Sequence, residues 1–215
     1  MTDIDICLFD LDGTLIDSTE LIFESYRHTL REHQGVVPPD EVWLAGLGTP
    51  LRAQFRVATD DPAEIERMVE TYREFNFAHH DHMVRPFPEI QAAITALKVG
   101  GMTLGVVTSK ARTGLHRGLS VCGLEHLFDT LISVDDVTRY KPEPEPVLKA
   151  LDSLNGEALR TVFIGDSPHD MAAGRAAGVL TAAALWGPFN KGHLEAHAPD
   201  YWLDSPTEIT QFLTA

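Results

Sequence analysis

The spacing of apolar residues divides the chain into two parts that meet near Pro86. An apolar run at residues 6–9, with Ile4 shortly before it, predicts a buried strand at the start of the chain. After Pro86, apolar runs alternate with helical stretches, and these runs lie at residues 102–107, 131–134, 161–164 and 179–185. Alternation of this kind is typical of βαβ units, so we expect an α/β fold with a Rossmann-like parallel sheet and helices on both faces.

Residues 17–83 show helical spacing instead of strand patterns. The first helix is marked by Ser18 as a candidate N-cap and by apolar positions at Leu21, Ile22, Tyr26 and Leu30. A second helical pattern covers residues 65–75. We therefore predict a small all-helical cap domain of residues 17–83, inserted after the first strand of a core domain made of residues 1–16 and 84–215.

Charge and composition narrow the range of partners. The 215 residues include 17 basic and 32 acidic ones, and the net charge of −15 argues against nucleic acid as a partner. No apolar run approaches the roughly 20 residues that cross a bilayer, and the start of the chain does not resemble a signal peptide. Cys7 and Cys122 lack metal-site spacing, which favours packing roles. We expect a cytoplasmic monomer or homodimer without membrane contact.

Two carboxylates, Asp10 and Asp12, directly follow the first predicted strand, and Gly13 and Thr14 come next. Open parallel sheets bind ligands at the carboxyl ends of their strands. An aspartate at this position can act as a nucleophile, and a second one can transfer protons beside a bound divalent cation. An Asp-Gly pair between apolar runs is also typical of a β-hairpin, and these residues alone leave that alternative open.

Further polar groups follow the later predicted strands. Thr108 and Ser109 can form an anion cradle at a helix start, although these residues taken alone favour an ordinary helix cap. Lys141 lies in a proline-rich loop, where it is either a site residue or a surface lysine. Asp166 and Asp170 follow the strand at residues 161–164 and are either metal ligands or residues that favour a helix start.

The order of these groups resembles the four motifs of the haloacid dehalogenase superfamily, and the resemblance spans almost the whole chain. The matching residues are Asp10 with Asp12, then Thr108, then Lys141, then Asp166 with Asp170. The resemblance implies a Mg²⁺-dependent phosphohydrolase that works through an aspartyl-phosphate intermediate. Its substrate would be pyrophosphate or a small phosphorylated metabolite such as phosphoglycolate.

The same resemblance implies a role for each motif residue. Asp10 would be the nucleophile, and Asp12 would protonate the leaving oxygen and later activate water. Mg²⁺ would be held by Asp10, by the backbone carbonyl of Asp12 and by Asp166, with Asp170 binding directly or through water. Thr108 and Ser109 would bind the phosphoryl oxygens, and Lys141 would offset their negative charge.

Subclasses of the superfamily can be compared on individual residues. Dehalogenases of this superfamily work without metal and lack the second aspartate, so Asp12 and Asp166 together favour phosphoryl transfer. Phosphonatases use a cap lysine, and residues 16–97 contain none. Segments at residues 72–81 and 135–147 resemble the bacterial inorganic pyrophosphatases, with phosphoglycolate phosphatases as close neighbours. A phosphomutase acting on a sugar phosphate and a non-enzymatic phosphate sensor remain as alternatives.

Two features of the predicted cap remain open to alternative interpretations. The loop with Gly48 and Thr49, followed by Arg52, is a candidate substrate contact because a glycine-rich loop and an arginine can bind an anion. A plain connection between helices explains these residues equally well. Residues 79–82 read His-His-Asp-His, but consecutive residues on a helix diverge around it, so we expect a helix end rather than a second metal site.

Overall fold

The computed structural model describes residues 4–213, so residues 1–3 and 214–215 of the predicted core domain lie outside the described residues. The strands within this range are β1 (Ile6–Phe9), β2 (Ile16–Asp17), β3 (Arg85–Pro86), β4 (Thr103–Val107), β5 (Thr130–Ile132), β6 (Thr161–Gly165), β7 (Leu180–Ala184) and β8 (Tyr201–Leu203). Six of them form one parallel sheet in the order β5, β4, β1, β6, β7, β8.

Helices connect these strands. They are α1 (Thr19–Gln34), α2 (Glu41–Leu44), α3 (Leu51–Phe55), α4 (Pro62–Met83), α5 (Ile90–Val99), α6 (Arg112–Val121), α7 (Glu145–Leu154), α8 (Pro168–Ala177) and α9 (Lys191–Leu194). Short 3-10 helices occupy several of the remaining connections. None of the helices within residues 4–213 combines the length and the apolar character that a membrane crossing requires.

The central strand β1 is apolar throughout because both of its faces are covered. Cys7 and Phe9 pack in one apolar cluster with residues of α5 and α6, whereas Ile6 and Leu8 pack in another with residues of α7 and α8. Successive side chains of a strand point to opposite faces, so a strand between two helical layers has no polar side. The predicted α/β fold with helices on both faces of a parallel sheet is confirmed.

The four later apolar runs become β4, β5, β6 and β7, with ends that differ from the predicted ones by up to two residues. Strand β8 was not predicted. It is three residues long and pairs at the edge of the sheet with β7. A strand this short carries too little apolar periodicity to be recognised from sequence.

The sheet order places β1 between β4 and β6. The chain crosses from β1 to β4 on one side and later returns to β6 on the other. Such a reversal opens a crevice at the carboxyl ends of the strands, where open α/β sheets bind ligands. The segments that follow β1, β4 and β6 therefore meet at one edge of the sheet.

Residues 17–83, here called the helical insertion, contain α1 to α4 and lie between β2 and β3. These two strands pair antiparallel, Ile16 with Pro86 and Asp17 with Arg85, so the insertion leaves and rejoins the rest of the chain at one point. Its apolar cluster includes side chains of α8 and of the segment before α9, and its members include Tyr26, Trp43, Phe55, Met68, Met171 and Phe189. The insertion therefore packs against the edge of the sheet that carries the polar groups.

Candidate active site

Lys141 lies in the interior and joins two carboxylates. Its Nζ lies 2.9 Å from Oδ1 of Asp10 and 2.6 Å from Oδ1 of Asp170, and it also donates to the carbonyl of Val107 at 3.3 Å. Only 1% of the lysine side chain is exposed. The surface-lysine interpretation is therefore wrong, and Lys141 is part of the group at the ends of β1 and β4.

Asp166 and Asp170 lie at the end of β6 and in the first turn of α8. Asp170 accepts hydrogen bonds from the backbone N–H of Ser167 at 3.0 Å and from its hydroxyl at 2.6 Å, which completes a capping box. Thr14 donates its hydroxyl to Oδ1 of Asp166 at 2.9 Å. The Asp170 carboxylate thus supports the helix start and also reaches Lys141 on its other oxygen.

Asp10, Asp166 and Asp170 form a buried acidic group whose ligand oxygens all lie within 4.8 Å of one another. Burial, followed by the nearby Asp170 charge, raises the pKa of Asp10 to about 7, and the same causes raise the pKa of Asp166. One lysine cannot neutralise three carboxylates. A compact set of buried carboxylate oxygens with excess negative charge fits a hard divalent cation.

The backbone packs tightly around Asp166. Gly13 has a φ of +84°, and a Cβ atom there would lie 2.6 Å from Oδ2 of Asp166. A Cβ atom at Gly187 would lie 2.5 Å from Cβ of Asp166. Glycine is required at both positions, because any side chain would displace the carboxylate. This close packing holds Asp166 in one position beside Asp10.

The second motif aspartate, Asp12, lies outside the buried acidic group. Its Oδ1 accepts from the Lys110 ammonium at 2.6 Å and from the Ser18 hydroxyl at 2.5 Å. Ser18 lies at the predicted N-cap position of α1, but its side chain makes no cap hydrogen bond and contacts Asp12 instead. Lys110 was not predicted as a site residue, although its position directly after Thr108 and Ser109 could have indicated it.

Thr108 and Ser109 lie at the carboxyl end of β4. Helix α6 begins only at Arg112, so neither residue is its N-cap, and the Thr108 hydroxyl accepts from the backbone N–H of Lys110 at 3.1 Å. The Ser109 hydroxyl is buried and makes no hydrogen bond within the described part of the chain. An unpaired buried hydroxyl is costly, and here it lines a cleft, where a bound anion would satisfy it.

A cleft of about 800 Å³ lies between the sheet edge and the helical insertion. Residues of both parts line it, and among them are Asp10, Asp12, Asp166, Gly48, Thr49 and Arg52. Arg52 forms a two-point ion pair with Glu66 of α4, with N–O distances of 2.6 and 2.8 Å. The three candidate cap residues thus face the same space as the motif carboxylates, although the Arg52 charge is already paired.

Hydrogen bonds hold the loop of Gly48 and Thr49 from inside the insertion. The buried Tyr26 hydroxyl donates to Oε1 of Gln54, and the Gln54 amide donates to the carbonyl of Thr49 at 2.7 Å. A Cβ atom at Gly48 would lie 3.1 Å from the Ser167 hydroxyl, which places the loop against the start of α8. Tyr26 and Gln54 were not predicted, because their partners are distant in sequence.

The His-His-Asp-His segment at the end of α4 does not form a metal site. His80 is buried with Nδ1 3.0 Å from Asp81, whereas His79 and His82 are exposed. The one group of metal-ligand atoms found within residues 4–213 is the acidic group at the sheet edge. The interpretation of this segment as a helix end agrees with these positions.

Comparison with known proteins identifies the family. The sequence profile of haloacid dehalogenase-like hydrolases matches residues 7–184. Pyrophosphatase PpaX of Anoxybacillus flavithermus is 39% identical over 211 residues, with 98% of this chain and 97% of the relative covered. Pyrophosphatase PpaX of Bacillus mycoides is 37% identical over the same length and coverage.

Solved structures agree with this assignment. A haloacid dehalogenase-like family hydrolase from Streptococcus pneumoniae has a TM-score of 0.87 at 27% identity, with all of both chains covered. A predicted phosphoglycolate phosphatase from Haemophilus somnus has a TM-score of 0.86 with full coverage, and at 22% identity this likeness shows the fold alone. The chain, with its motif carboxylates and Lys141 gathered at one sheet edge, belongs to the haloacid dehalogenase-like hydrolase family.

Proposed function

We propose that the chain is a Mg²⁺-dependent phosphohydrolase that acts through an aspartyl-phosphate intermediate. The observation that carries this proposal is the position of Asp10 at the end of β1, where it lines the cleft and contacts Lys141 at 2.9 Å beside two more buried carboxylates. A carboxylate nucleophile in this setting can reach a phosphoryl group only where positive charge offsets the mutual repulsion.

The proposed substrates are pyrophosphate or a small phosphorylated metabolite such as phosphoglycolate. Support for pyrophosphate comes from the relatives called pyrophosphatases, and phosphoglycolate is proposed because of the family resemblance of the motifs. The cleft volume of about 800 Å³ exceeds what such a small anion fills, so the substrate would contact only part of the lining.

Each motif residue has a chemical task in this proposal. An oxygen of Asp10 forms a bond to phosphorus while the bond from phosphorus to the leaving oxygen breaks. Asp12 gives a proton to that oxygen and then takes one from the water that hydrolyses the aspartyl phosphate. The free Ser109 hydroxyl and Thr108 hold non-bridging oxygens, and Lys141 offsets their charge.

The acidic group would hold the cation through Asp10 and Asp166, together with the backbone carbonyl of Asp12. Bound Mg²⁺ supplies Lewis-acid stabilisation of the negative charge on the phosphoryl group. Both oxygens of Asp170 already bind Lys141 and Ser167, which favours an indirect contact for this residue. Asp170 would then orient Lys141 and reach the cation through water.

The helical insertion would act as a cap domain of residues 17–83 over a core domain of residues 1–16 and 84–215. The paired strands β2 and β3 support this division, because they confine the connection to two adjacent segments. The part of the substrate that extends away from Asp10 would contact Gly48, Thr49 and Arg52. Closure of such a cap excludes water during transfer.

The test is release of phosphate from pyrophosphate, phosphoglycolate and a panel of sugar phosphates, with and without Mg²⁺. Wild-type protein should release phosphate only with a divalent cation, and Asp10→Asn should release none while keeping the same fold by circular dichroism. Isomerised sugar phosphate without net release would favour a phosphomutase. Binding of phosphate without turnover of any compound would favour a sensor and contradict the proposal.

A further inference from the structure

We propose that Lys110 binds the leaving group of the substrate, and that the enzyme therefore prefers substrates whose leaving group is itself an anion. A phosphoanhydride and a phosphate ester that carries a carboxylate share this chemistry. The inference rests on the proposed function, because it assumes that Asp10 attacks and that Asp12 protonates the leaving oxygen.

The position of Lys110 is fixed by three contacts. Its ammonium lies 2.6 Å from Oδ1 of Asp12, and its backbone N–H donates to the Thr108 hydroxyl at 3.1 Å. A Cβ atom at Gly114 would lie 3.0 to 3.1 Å from three carbons of the lysine stem, so the stem lies along bare backbone of α6. A side chain with these contacts is held in place rather than free in solvent.

Lys110 is also open to the substrate. Its side chain is 15% exposed, that of Asp12 is 19% exposed, and both residues line the cleft. The Ser18 hydroxyl binds the same oxygen of Asp12, so the carboxylate keeps a partner when the ammonium turns to another anion. Lys110 can thus contact a ligand without leaving Asp12 unpaired.

The other cationic side chains around the cleft are placed differently. Lys141 is committed to Asp10 and Asp170 deep in the site, and Arg52 is held by both oxygens of Glu66. Arg73 also lines the cleft, but from the exposed surface of α4 in the helical insertion. Lys110 is therefore the lysine or arginine that lies beside the proposed proton donor, within the described residues.

The direction of the reaction brings the leaving group to this lysine. As the Asp10 oxygen bonds to phosphorus, the electron pair of the breaking bond moves to the leaving oxygen, which lies next to Asp12. A leaving phosphate, or a leaving glycolate with its carboxylate, adds negative charge there. The Lys110 ammonium would bind it in a partly desolvated cleft, where charge-assisted hydrogen bonds are strong. A neutral leaving group gives the ammonium nothing to bind.

The test compares kcat/KM for pyrophosphate, phosphoglycolate and 2-hydroxyethyl phosphate, which replaces the carboxylate of phosphoglycolate with a neutral group. In Lys110→Met, kcat/KM should fall roughly 10- to 100-fold for the two substrates with anionic leaving groups. For 2-hydroxyethyl phosphate it should fall clearly less. Lys110→Arg should retain part of the preference for anionic leaving groups, because arginine keeps the positive charge.

Lys98→Met is the matched control, because Lys98 also pairs with an aspartate, Asp129, at 2.5 Å, but near the opposite end of β4. It should leave all three values unchanged. An equal fall for all three substrates in Lys110→Met would show that Lys110 only supports Asp12 and would overturn the inference, as would no fall at all. If Lys110→Met does not fold, Lys110→Gln takes its place.

Failure of the proposed function has a separate outcome. Wild-type protein that releases phosphate from none of the three compounds would overturn the hydrolase assignment itself. Wild-type protein that favours 2-hydroxyethyl phosphate over phosphoglycolate would overturn only the role of Lys110.

Discussion

Lys141 and Asp170 form an ion pair of 2.6 Å in which the lysine side chain is 1% exposed and the aspartate is fully buried. The pair joins the loop before α7 to the first turn of α8. Carboxylates on both sides raise the pKa of Lys141 against the effect of its burial, so the lysine stays charged throughout the physiological range. Lys141 is thus a fixed positive charge in contact with the proposed nucleophile, and Asp170 holds it there.

Removal of this charge should destabilise the fold. Lys141→Met keeps the length of the side chain but leaves three buried carboxylates without a cation. Loss of one partner from a buried ion pair costs about 3–5 kcal/mol of unfolding free energy. Urea unfolding in the presence of a chelator measures this change. Lys98→Met removes a half-exposed lysine from an ion pair and should cost far less, and equal losses in the two variants would contradict the assignment.

The stability of the cation-free protein should fall as pH rises between about 4 and about 7. Burial, then Asp170, raises the pKa of Asp10 from 3.8 to about 7 in the folded protein. The folded state then binds the proton more tightly than the unfolded state, so the stabilisation is present at low pH and is lost as Asp10 ionises. A pKa change of this size corresponds to roughly 4 kcal/mol.

Urea unfolding at several pH values in a chelator measures this dependence, and the difference between wild type and Asp10→Asn isolates the one carboxyl group. That difference should change in favour of the variant as pH rises. Excess Mg²⁺ should weaken the dependence, because a cation that binds the ionised group stabilises the folded state. A difference that is independent of pH, with and without Mg²⁺, would contradict the proposed electrostatics.

Gly13→Ala should impair the proposed cation site more than it impairs the fold. The new Cβ atom would lie 2.6 to 2.7 Å from the Asp166 carboxylate, so this group has to move. Gly101→Ala is the matched control, because Gly101 has a φ of +88° against +84° for Gly13, and a Cβ atom there would meet nothing within 4 Å beyond its chain neighbours. In both variants, an alanine at positive φ lowers the free energy of unfolding by about 1 kcal/mol.

Calorimetric titration with Mg²⁺ separates the two effects. Gly13→Ala should bind Mg²⁺ roughly tenfold more weakly or worse, because displaced ligand groups typically cost this much affinity. Gly101→Ala should bind like wild type. Equal affinity in the two variants would mean that Asp166 is not a ligand.

The sequence predicts those parts of the molecule that depend on local pattern. Strand β1 is recognisable because burial on both faces makes it apolar throughout, and Asp10 is placed at the sheet edge by its position directly after that strand. Asp166 is placed at the same edge by its position directly after β6, which is also apolar and buried. Strand ends and the groups that follow them are encoded within a few neighbouring residues, so periodicity is enough to find them.

Side-chain contacts that depend on turns or on the order of the strands cannot be predicted in this way. Ser18 satisfies the local pattern of a helix cap, yet its hydroxyl binds Asp12, because the turn after β1 brings that carboxylate within reach. The pairing of Lys110 with Asp12 spans 98 residues and depends on the adjacency of β1 and β4. A single sequence gives the side chains but not which of them meet across the sheet edge.

Tyr26 should act on substrate binding through the loop of the helical insertion rather than on the chemical step. Its hydroxyl donates to Gln54, whose amide donates to the carbonyl of Thr49 at 2.7 Å. Tyr26→Phe removes the hydroxyl alone and leaves the Gln54 oxygen unsatisfied, which loosens the loop by about 1 kcal/mol.

Because the loop would contact the part of the substrate away from Asp10, KM should rise about fivefold while kcat changes little. Steady-state kinetics with pyrophosphate at saturating Mg²⁺ measures both constants. Tyr140→Phe, at an exposed tyrosine, is the control and should match wild type. A fall in kcat at unchanged KM would instead mean that the Tyr26 hydroxyl acts on the reacting phosphoryl group, and no change in either constant would exclude the loop as a substrate contact.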